Sequence, residues 1–260
     1  MAQAPIFAAA PGKANVRSFT IALMFLTRLP VRLQGDLTMA DVGRAAPYYP
    51  LVGLLVGGLA ALVIGLGDII GLPPIPAIFL AMAVTLLLTG ALHEDGLADA
   101  VDALGSADPA KRLEIMRDSR LGTFGALALI IAIGSKVALL AALPSANACM
   151  IALAVMHCWS RALMSLPMAF LAPARQDGLG QASAGLSKPA CAMAHLGAGL
   201  ACTLLLGWPG LLVLLSALTI AAGFVFWQNR AFGGYSGDTI GATQQIGEIA
   251  VLLSLAIWVH

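Results

Sequence analysis

The stretch from Pro74 to Asp102 reads PIPAIFLAMAVTLLLTGALHEDGLADAVD, an apolar run followed directly by a cluster of carboxylates. Four of the 13 acidic residues in the 260-residue chain fall between Glu94 and Asp102. If this second half is helical, Asp95, Asp99 and Asp102 stand at i, i+4 and i+7, within an arc of roughly 60° on one face. The pattern therefore predicts a helix with an acidic face behind an apolar segment.

Carboxylates placed this closely repel one another, and a bound cation relieves the repulsion. The pattern favours Mg²⁺, because this ion prefers hard oxygen ligands and also grips substrate phosphates. Asp95, Asp99 and Asp102 are therefore candidate metal ligands and candidate catalytic residues. The alternative is a solvated acidic turn at a helix boundary, stabilised by the helix N-terminus. A zinc protease helix is excluded, since position 97 is Leu where that motif needs its second His.

The composition indicates a membrane protein, because 60% of the residues are hydrophobic and only 10% are charged, against roughly 25% charged in soluble domains. Apolar runs near the ~18–20 residues needed to cross a bilayer predict about seven transmembrane helices. We expect an all-α, polytopic membrane helix bundle that forms one domain over residues 1–260. The predicted spans lie at about 50–70, 74–92, 121–143, 147–171, 190–206, 209–227 and 246–259.

The N-terminal part of the chain precedes these spans. Residues 19–29 are apolar but too few to cross a bilayer, which predicts an interfacial or re-entrant helix.

The basic residues are distributed asymmetrically along the chain. Of the 14 Lys and Arg, 12 lie before the first predicted span or in the connections after the second, fourth and sixth. The intervening connections at 71–73, 144–146 and 207–209 carry no charge. By the positive-inside rule the charged connections are cytoplasmic, so the acidic motifs and the N-terminus face the cytoplasm. No basic patch with interleaved aromatic residues is present, and we expect no nucleic-acid partner.

A second polar cluster, between Arg112 and Gly125, mixes acidic residues with arginines. Arginine forks bind phosphate bidentately, so Arg117 and Arg120 are candidates to hold a diphosphate or a nucleotide. Asp118 is a further candidate metal ligand and catalytic residue. The alternative is a surface helix with i, i+3 ion pairs at the membrane boundary. The spacing leaves both interpretations open.

A third cluster, residues 233–248, is rich in glycine. Gly233, Gly234 and Gly237 let backbone N–H groups approach a substrate phosphate, and a helix starting near Asp238 would point its positive end at it. Asp238 is therefore a candidate catalytic residue and metal ligand. The segment is not a P-loop, because it lacks the Gly-Lys-Ser/Thr ending. A structural hinge between two spans is the alternative.

Two basic residues, Lys136 and Arg161, fall inside predicted spans. A charge in that position costs at least ~2.5–3.5 kcal/mol on insertion scales, so each is expected to face the bundle interior. Their partners are either the carboxylates of the acidic cluster or an anionic substrate group. Both are thus candidate substrate-binding residues, with a structural ion pair as the alternative.

With these residues in view, the chain resembles the cobalamin synthase (adenosylcobinamide-GDP ribazoletransferase) family of bacterial inner membranes over nearly its whole length. The resemblance rests on short motifs, of which the Asp-Gly-Leu-Ala-Asp and Gly-Asp runs are the most specific. They are FLTRLPV at 25–31, YYPLVG at 48–53, EDGLAD at 94–99, Arg117-Asp118, GTFG at 122–125, Ser160-Arg161, Gly233-Gly234 and Gly237-Asp238.

The resemblance implies an enzyme that uses Mg²⁺ as its cofactor for phosphotransfer. The cobinamide phosphate of adenosylcobinamide-GDP is expected to pass to the 5′-hydroxyl of α-ribazole, with release of GMP. The resemblance also implies that α-ribazole 5′-phosphate is accepted. It also implies a multi-pass protein of the bacterial inner membrane with its active site facing the cytoplasm. A homo-oligomer and docking of other cobalamin-pathway enzymes are both compatible with the sequence.

Two alternative functions follow from the residues. A CDP-alcohol phosphatidyltransferase-like enzyme also places spaced aspartates at the cytoplasmic end of a membrane helix, but its pattern needs Arg where Asp99 stands. A membrane transporter would explain the intramembrane Lys136 and Arg161 and the Gly-rich breaks. Transporters favour carboxylates at the midplane, whereas here the acidic residues flank the spans.

Overall fold

The computed structural model describes residues 11–118, 120–175 and 186–258. Within these ranges the chain is all-α, as predicted, with one isolated β-bridge between Pro173 and Tyr235. A single 3₁₀ turn at Ala46–Tyr48 leads into the third helix. The helices are α1 (Pro11–Leu26), α2 (Met39–Ala45), α3 (Tyr49–Ile69), α4 (Pro74–Thr89), α5 (Leu92–Ala103), α6 (Pro109–Ile115), α7 (Thr123–Ala141), α8 (Ala146–Leu163), α9 (Ser165–Phe170), α10 (Lys188–Leu206), α11 (Gly210–Phe232) and α12 (Gly237–Trp258).

Six helical segments in the described part of the chain are long and apolar enough to cross a membrane. They are α3 with the residues before it, α7, α8 with α9, α10, α11 and α12. Helices α4 and α5 meet at 88° and add a seventh crossing if the pair is one broken span. The predicted polytopic bundle is confirmed. The apolar part of α1, Asn15–Leu26, is too short to span, as the sequence indicated.

Two of the predicted spans have different boundaries in the structure. The run at 74–92 breaks at Gly90, whose backbone φ of +68° ends α4. The last span was predicted to begin at 246, but α12 begins at Gly237. Hydropathy assigns Gln244 and Gln245 to a polar connection, whereas the structure buries both against polar groups of other helices. The connection predicted at 228–245 therefore shrinks to residues 233–236.

Helices α8 and α12 occupy the centre of the bundle. Most of the apolar window of each is buried, whereas α7, α10 and α11 leave most of theirs exposed, as helices that face lipid do. Outside this centre, an apolar cluster packs α1, α2 and the first half of α3 against Met164, Met168, Tyr235 and Ile240. This cluster covers one side of the place where α5 meets α12.

Candidate active site

Helix α5 sets two carboxylates on one face. The chain leaves α4 through Gly90 and Ala91, both in the left-handed region, and only glycine takes that conformation without a Cβ penalty. Because α5 begins at Leu92, Asp95 and Asp99 stand one helical turn apart, as the spacing predicts. Neither carboxylate has a hydrogen-bond partner among the residues that the structure describes.

Helix α12 adds a third carboxylate through a contact between glycines. Gly96 packs on the backbone of Asp238, so closely that a Cβ built at Gly96 would lie 2.8 Å from the Asp238 carbonyl oxygen. A Cβ built at Gly241, on the next turn of α12, would lie 3.4 Å from the Gly96 Cα. Small residues are what allow two helices to approach this closely. The contact places Asp238 beside Asp95, although the two are distant in sequence.

Asp95 and Asp238 line one cavity of about 70 Å³. Its remaining walls are largely apolar, with Phe25, Tyr49, Met164 and Met168 among the lining residues. The cavity thus combines a carboxylate side with an apolar side. Such a site suits a ligand that carries both charged and apolar groups.

Arg175 holds Asp238 in place and was missed as a site residue from the sequence, where it counted only as a cytoplasmic charge. Its Nη2 donates to Asp238 Oδ2 at 3.0 Å, and the Ser236 hydroxyl donates to the same oxygen at 3.3 Å. The arginine is brought there by the β-bridge, in which the Ala174 N–H donates to the Tyr235 carbonyl at 2.8 Å. Its Nε is buried and has no hydrogen-bond partner among the described residues. This side chain therefore has donor capacity left for an anion.

The three carboxylates repel one another. Asp99 is partly buried near the carboxylates of Asp95 and Asp238, and Arg175 is a nearby cation that opposes their repulsion. A bound cation would lower this electrostatic free energy. The electrostatics agree with a cation-assisted site.

Asp102, the third acidic residue on the predicted face, has a different environment. Its two carboxylate oxygens accept from the backbone N–H groups of Gly122 at 2.7 Å and Gly125 at 2.8 Å. These N–H groups lie at the N-terminus of α7, where the first N–H groups of a helix lack partners within the helix. Asp102 therefore fastens the end of α5 to the start of α7, and both of its carboxylate oxygens already accept hydrogen bonds from the backbone.

The predicted cluster around Asp118 lies on the surface after α6. The Arg120 guanidinium donates to both Asp118 oxygens, with Nε at 3.0 Å from each, and this contact lowers the pKa of the Asp118 carboxyl. Arg117 is exposed. Lys111 and Glu114 form an i, i+3 ion pair at 2.9 Å on α6, so the segment has the features of the surface-helix alternative.

The three glycines of the C-terminal cluster lie in three different settings. Gly233 ends α11 with a φ of +73°. Gly234 packs against the backbone of residues 172–174 at the β-bridge. Gly237 begins α12 and lines the cavity together with Asp238. Of the three, Gly237 is the one beside the carboxylates.

Lys136 and Arg161 face the bundle interior, as predicted from the free-energy cost of placing a charged side chain in a bilayer. Their exposed fractions are 3% and 1%. The Lys136 ammonium donates to Glu248 at 2.8 Å and lies 3.8 Å from Glu94, a carboxylate of the acidic cluster. The Arg161 guanidinium donates to the His157 carbonyl at 3.2 Å. Both residues thus have protein partners inside the bundle.

Comparison with known proteins assigns this chain to a family. A family model described as cobalamin-5-phosphate synthase matches residues 18–256. The chain belongs to the cobalamin-5-phosphate synthase family. A relative from Shewanella amazonensis is 41% identical over 259 residues, which cover 95% of this chain and 97% of that protein. One from Bradyrhizobium diazoefficiens is 40% identical over 253 residues, with the same coverage.

Both relatives are named adenosylcobinamide-GDP ribazoletransferase. No solved structure matches the chain. Membership of the cobalamin-5-phosphate synthase family confirms the resemblance seen in the motifs and makes the chain a transferase of cobalamin synthesis. It also removes the two alternatives, a phosphatidyltransferase-like enzyme and a transporter.

The carboxylates suit Mg²⁺ by donor type. Within the described residues, no three acidic, His or Cys side chains already form a group that could hold a metal ion. That arrangement is not required for Mg²⁺, which usually takes one or two carboxylates, substrate phosphates and water. Asp95 and Asp99 fit this pattern, since neither has a protein partner among the described residues. In the cobalamin-5-phosphate synthase family a diphosphate substrate would supply the remaining oxygens.

Proposed function

We propose that the chain transfers the cobinamide phosphate of adenosylcobinamide-GDP to a ribose hydroxyl of α-ribazole, or of α-ribazole 5′-phosphate, at the α5–α12 site. In α-ribazole 5′-phosphate the 5′-oxygen is already esterified, so another ribose hydroxyl has to attack. The relatives' names supply the donor and the ribazole acceptor. The observation that carries the proposal is the meeting of Asp95, Asp99 and Asp238 where α5 contacts α12. Arg175 pairs with Asp238 there, and Asp95 and Asp238 line one cavity.

The reaction exchanges one phosphorus–oxygen bond for another. A ribose hydroxyl oxygen of the acceptor attacks the phosphorus next to cobinamide, the bond from that phosphorus to the GMP oxygen breaks, and GMP leaves. The proton of the attacking hydroxyl passes to a base, for which an aspartate of the site is suitable. In phosphoryl transfer the protein contributes mainly position and charge stabilisation.

The donor brings a diphosphate to a site that already holds three carboxylates, so its binding requires positive charge. Arg175 supplies one cation next to Asp238. Asp95 and Asp99 are the residues that would hold Mg²⁺, with Asp238 beside them on α12. When bound, Mg²⁺ neutralises charge on the diphosphate and on the leaving GMP.

The apolar walls fit the other half of the donor. A corrinoid is large and amphiphilic, and Phe25, Met164 and Met168 offer it a surface beside the carboxylates. We infer that the site opens to the cytoplasmic face of a bacterial inner membrane, because the basic residues gather in the connections on the acidic side of the bundle.

Release of GMP tests the proposal directly. The purified protein in liposomes is given adenosylcobinamide-GDP with or without α-ribazole, and GMP is quantified by chromatography. We expect release that depends on α-ribazole, stops with EDTA and returns with Mg²⁺. Asp95→Asn and Asp99→Asn should lower it about 100- to 1,000-fold, since loss of a metal ligand removes several kcal/mol of charge stabilisation.

The matched control is Asp108→Asn, because Asp108 caps the short helix α6 and asparagine caps equally well. This variant should keep wild-type release. Near-native turnover by Asp95→Asn at saturating Mg²⁺ would contradict the proposed site. Release of GMP at the same rate with and without α-ribazole would contradict the proposed reaction.

A further inference from the structure

A second group of polar side chains lies inside the bundle next to the carboxylates, and the proposed reaction does not use it. It joins four helices, and its members are buried or nearly so. We call it the interior network and define it as Glu94 on α5, Lys136 on α7, His157, Ser160 and Arg161 on α8, and Gln244, Gln245 and Glu248 on α12.

The centre of the interior network is Glu248, which is 1% exposed. One of its oxygens accepts from the Lys136 ammonium at 2.8 Å. The other lies 2.8 Å from His157 Nδ1 and accepts from the Gln244 amide at 2.6 Å. A charge this deeply buried is tolerated only when it is paired and hydrogen-bonded. These contacts therefore fix α12 against α7 and α8.

Gln245 extends the interior network to α5. Its carbonyl oxygen accepts from Lys136 at 2.9 Å, and its amide donates to Glu94 Oε1 at 2.9 Å. The amide orientation is determined by these partners, because a lysine only donates and a carboxylate only accepts. Lys136 also lies 3.8 Å from the same Glu94 oxygen. Glu94 is thus drawn toward α7 and α12 together.

The bond to Glu94 is the second point at which α12 holds α5. The first is the contact of Gly96 with Asp238 and Gly241. Asp238, Gly241 and Gln245 follow one another along one face of α12 at intervals of three and four residues. Asp102 fastens the last turn of α5 to α7 and the glycine contact holds its middle, but neither is a hydrogen bond that resists rotation of the first turn. The bond from Gln245 to Glu94 opposes that rotation, and Asp95 is the next residue on α5.

We propose that Gln245 is a positioning residue for the carboxylate site: by linking Lys136 to Glu94 it fixes the rotation of α5, and so directs Asp95 and Asp99 toward Asp238. The activity readout below rests on the proposed function, whereas the distance readout does not depend on it.

The test compares Gln245→Leu with Gln228→Leu. Gln228 is a buried glutamine of α11 that accepts from Thr243 of α12 at 3.3 Å, so its loss perturbs α12 without breaking the link to α5. Nitroxide labels at Leu104→Cys and Phe170→Cys report the position of α5 by electron paramagnetic resonance. Both sites are exposed, and the four native cysteines are buried.

Gln245→Leu should shift or broaden the distance distribution between the labels and lower kcat for GMP release about tenfold, with KM for α-ribazole within about twofold. Gln228→Leu should keep the wild-type distribution and kcat at a similar melting temperature. Glu94→Gln keeps an acceptor oxygen for Gln245 and should also preserve both. If Gln245→Leu does not fold, Glu94→Leu removes the same bond from the less buried end.

An unchanged distance distribution in Gln245→Leu or Glu94→Leu would overturn the proposal, even if kcat falls. So would equal effects of Gln245→Leu and Gln228→Leu. A shifted distribution in a protein whose wild type releases no GMP would support the positioning role and count against the proposed function.

Discussion

Gly96→Ala should separate the two helices that form the site. A Cβ at position 96 would lie 2.8 Å from the Asp238 carbonyl oxygen and 3.0 Å from its Cα, against at least 3.4 Å in ordinary contact. The helices must move apart by about 0.6 Å, the shortfall between 2.8 and 3.4 Å. Overpacking costs about 1–3 kcal/mol, and the better helix propensity of alanine returns about 1 kcal/mol. We expect a net destabilisation of about 0–2 kcal/mol.

The effect on transfer should be larger than the effect on stability. A misplacement of about 1 Å can cost 100-fold in rate, so turnover should fall about 10- to 100-fold. GMP release in liposomes and thermal unfolding in detergent measure the two effects.

Gly134→Ala on α7 and Gly223→Ala on α11 are matched controls, since a Cβ at either position meets nothing within 4 Å. If Gly96→Ala keeps the same turnover as these two controls, the close approach of α5 and α12 is not the basis of the site.

Three further predictions follow from the contacts. Asp102→Ala leaves the N–H groups of Gly122 and Gly125 without their acceptor, so thermal unfolding should show a loss of about 1–2 kcal/mol, and unchanged stability would contradict the helix-fastening role. A cysteine at Ser106 should react with a membrane-impermeant maleimide from the cytoplasmic side, and reaction only from the periplasm would reverse the topology. Arg175→Gln should raise KM for the donor about tenfold or more, with partial recovery in Arg175→Lys because lysine lacks the planar fork; an unchanged KM would remove Arg175 from the site.

Local patterns predicted the elements but not all of their contacts. The helical spacing of Asp95 and Asp99 and the long apolar runs are properties of neighbouring residues, and the structure confirms both the helix and the bundle. Asp102 has the same spacing, yet a tertiary contact with the start of α7 takes its oxygens. No pattern within α5 contains that contact.

Two further features could not be predicted because they depend on distant parts of the chain. Arg175 reaches Asp238 only through the β-bridge between Pro173 and Tyr235. Gln245 falls outside the predicted span at 246–259 because hydropathy scores each residue alone, whereas Lys136 and Glu94 satisfy its side chain inside the bundle.

A double-mutant cycle between Asp99 and Asp238 tests most directly whether α5 and α12 form one catalytic site. Turnover is measured for Asp99→Asn, Asp238→Asn and the double variant by release of GMP. Groups that act on the same diphosphate are strongly non-additive, so the double variant should lose little more activity than the more impaired single variant. Losses that multiply, as for independent sites, would show that the two helices do not share one reaction centre.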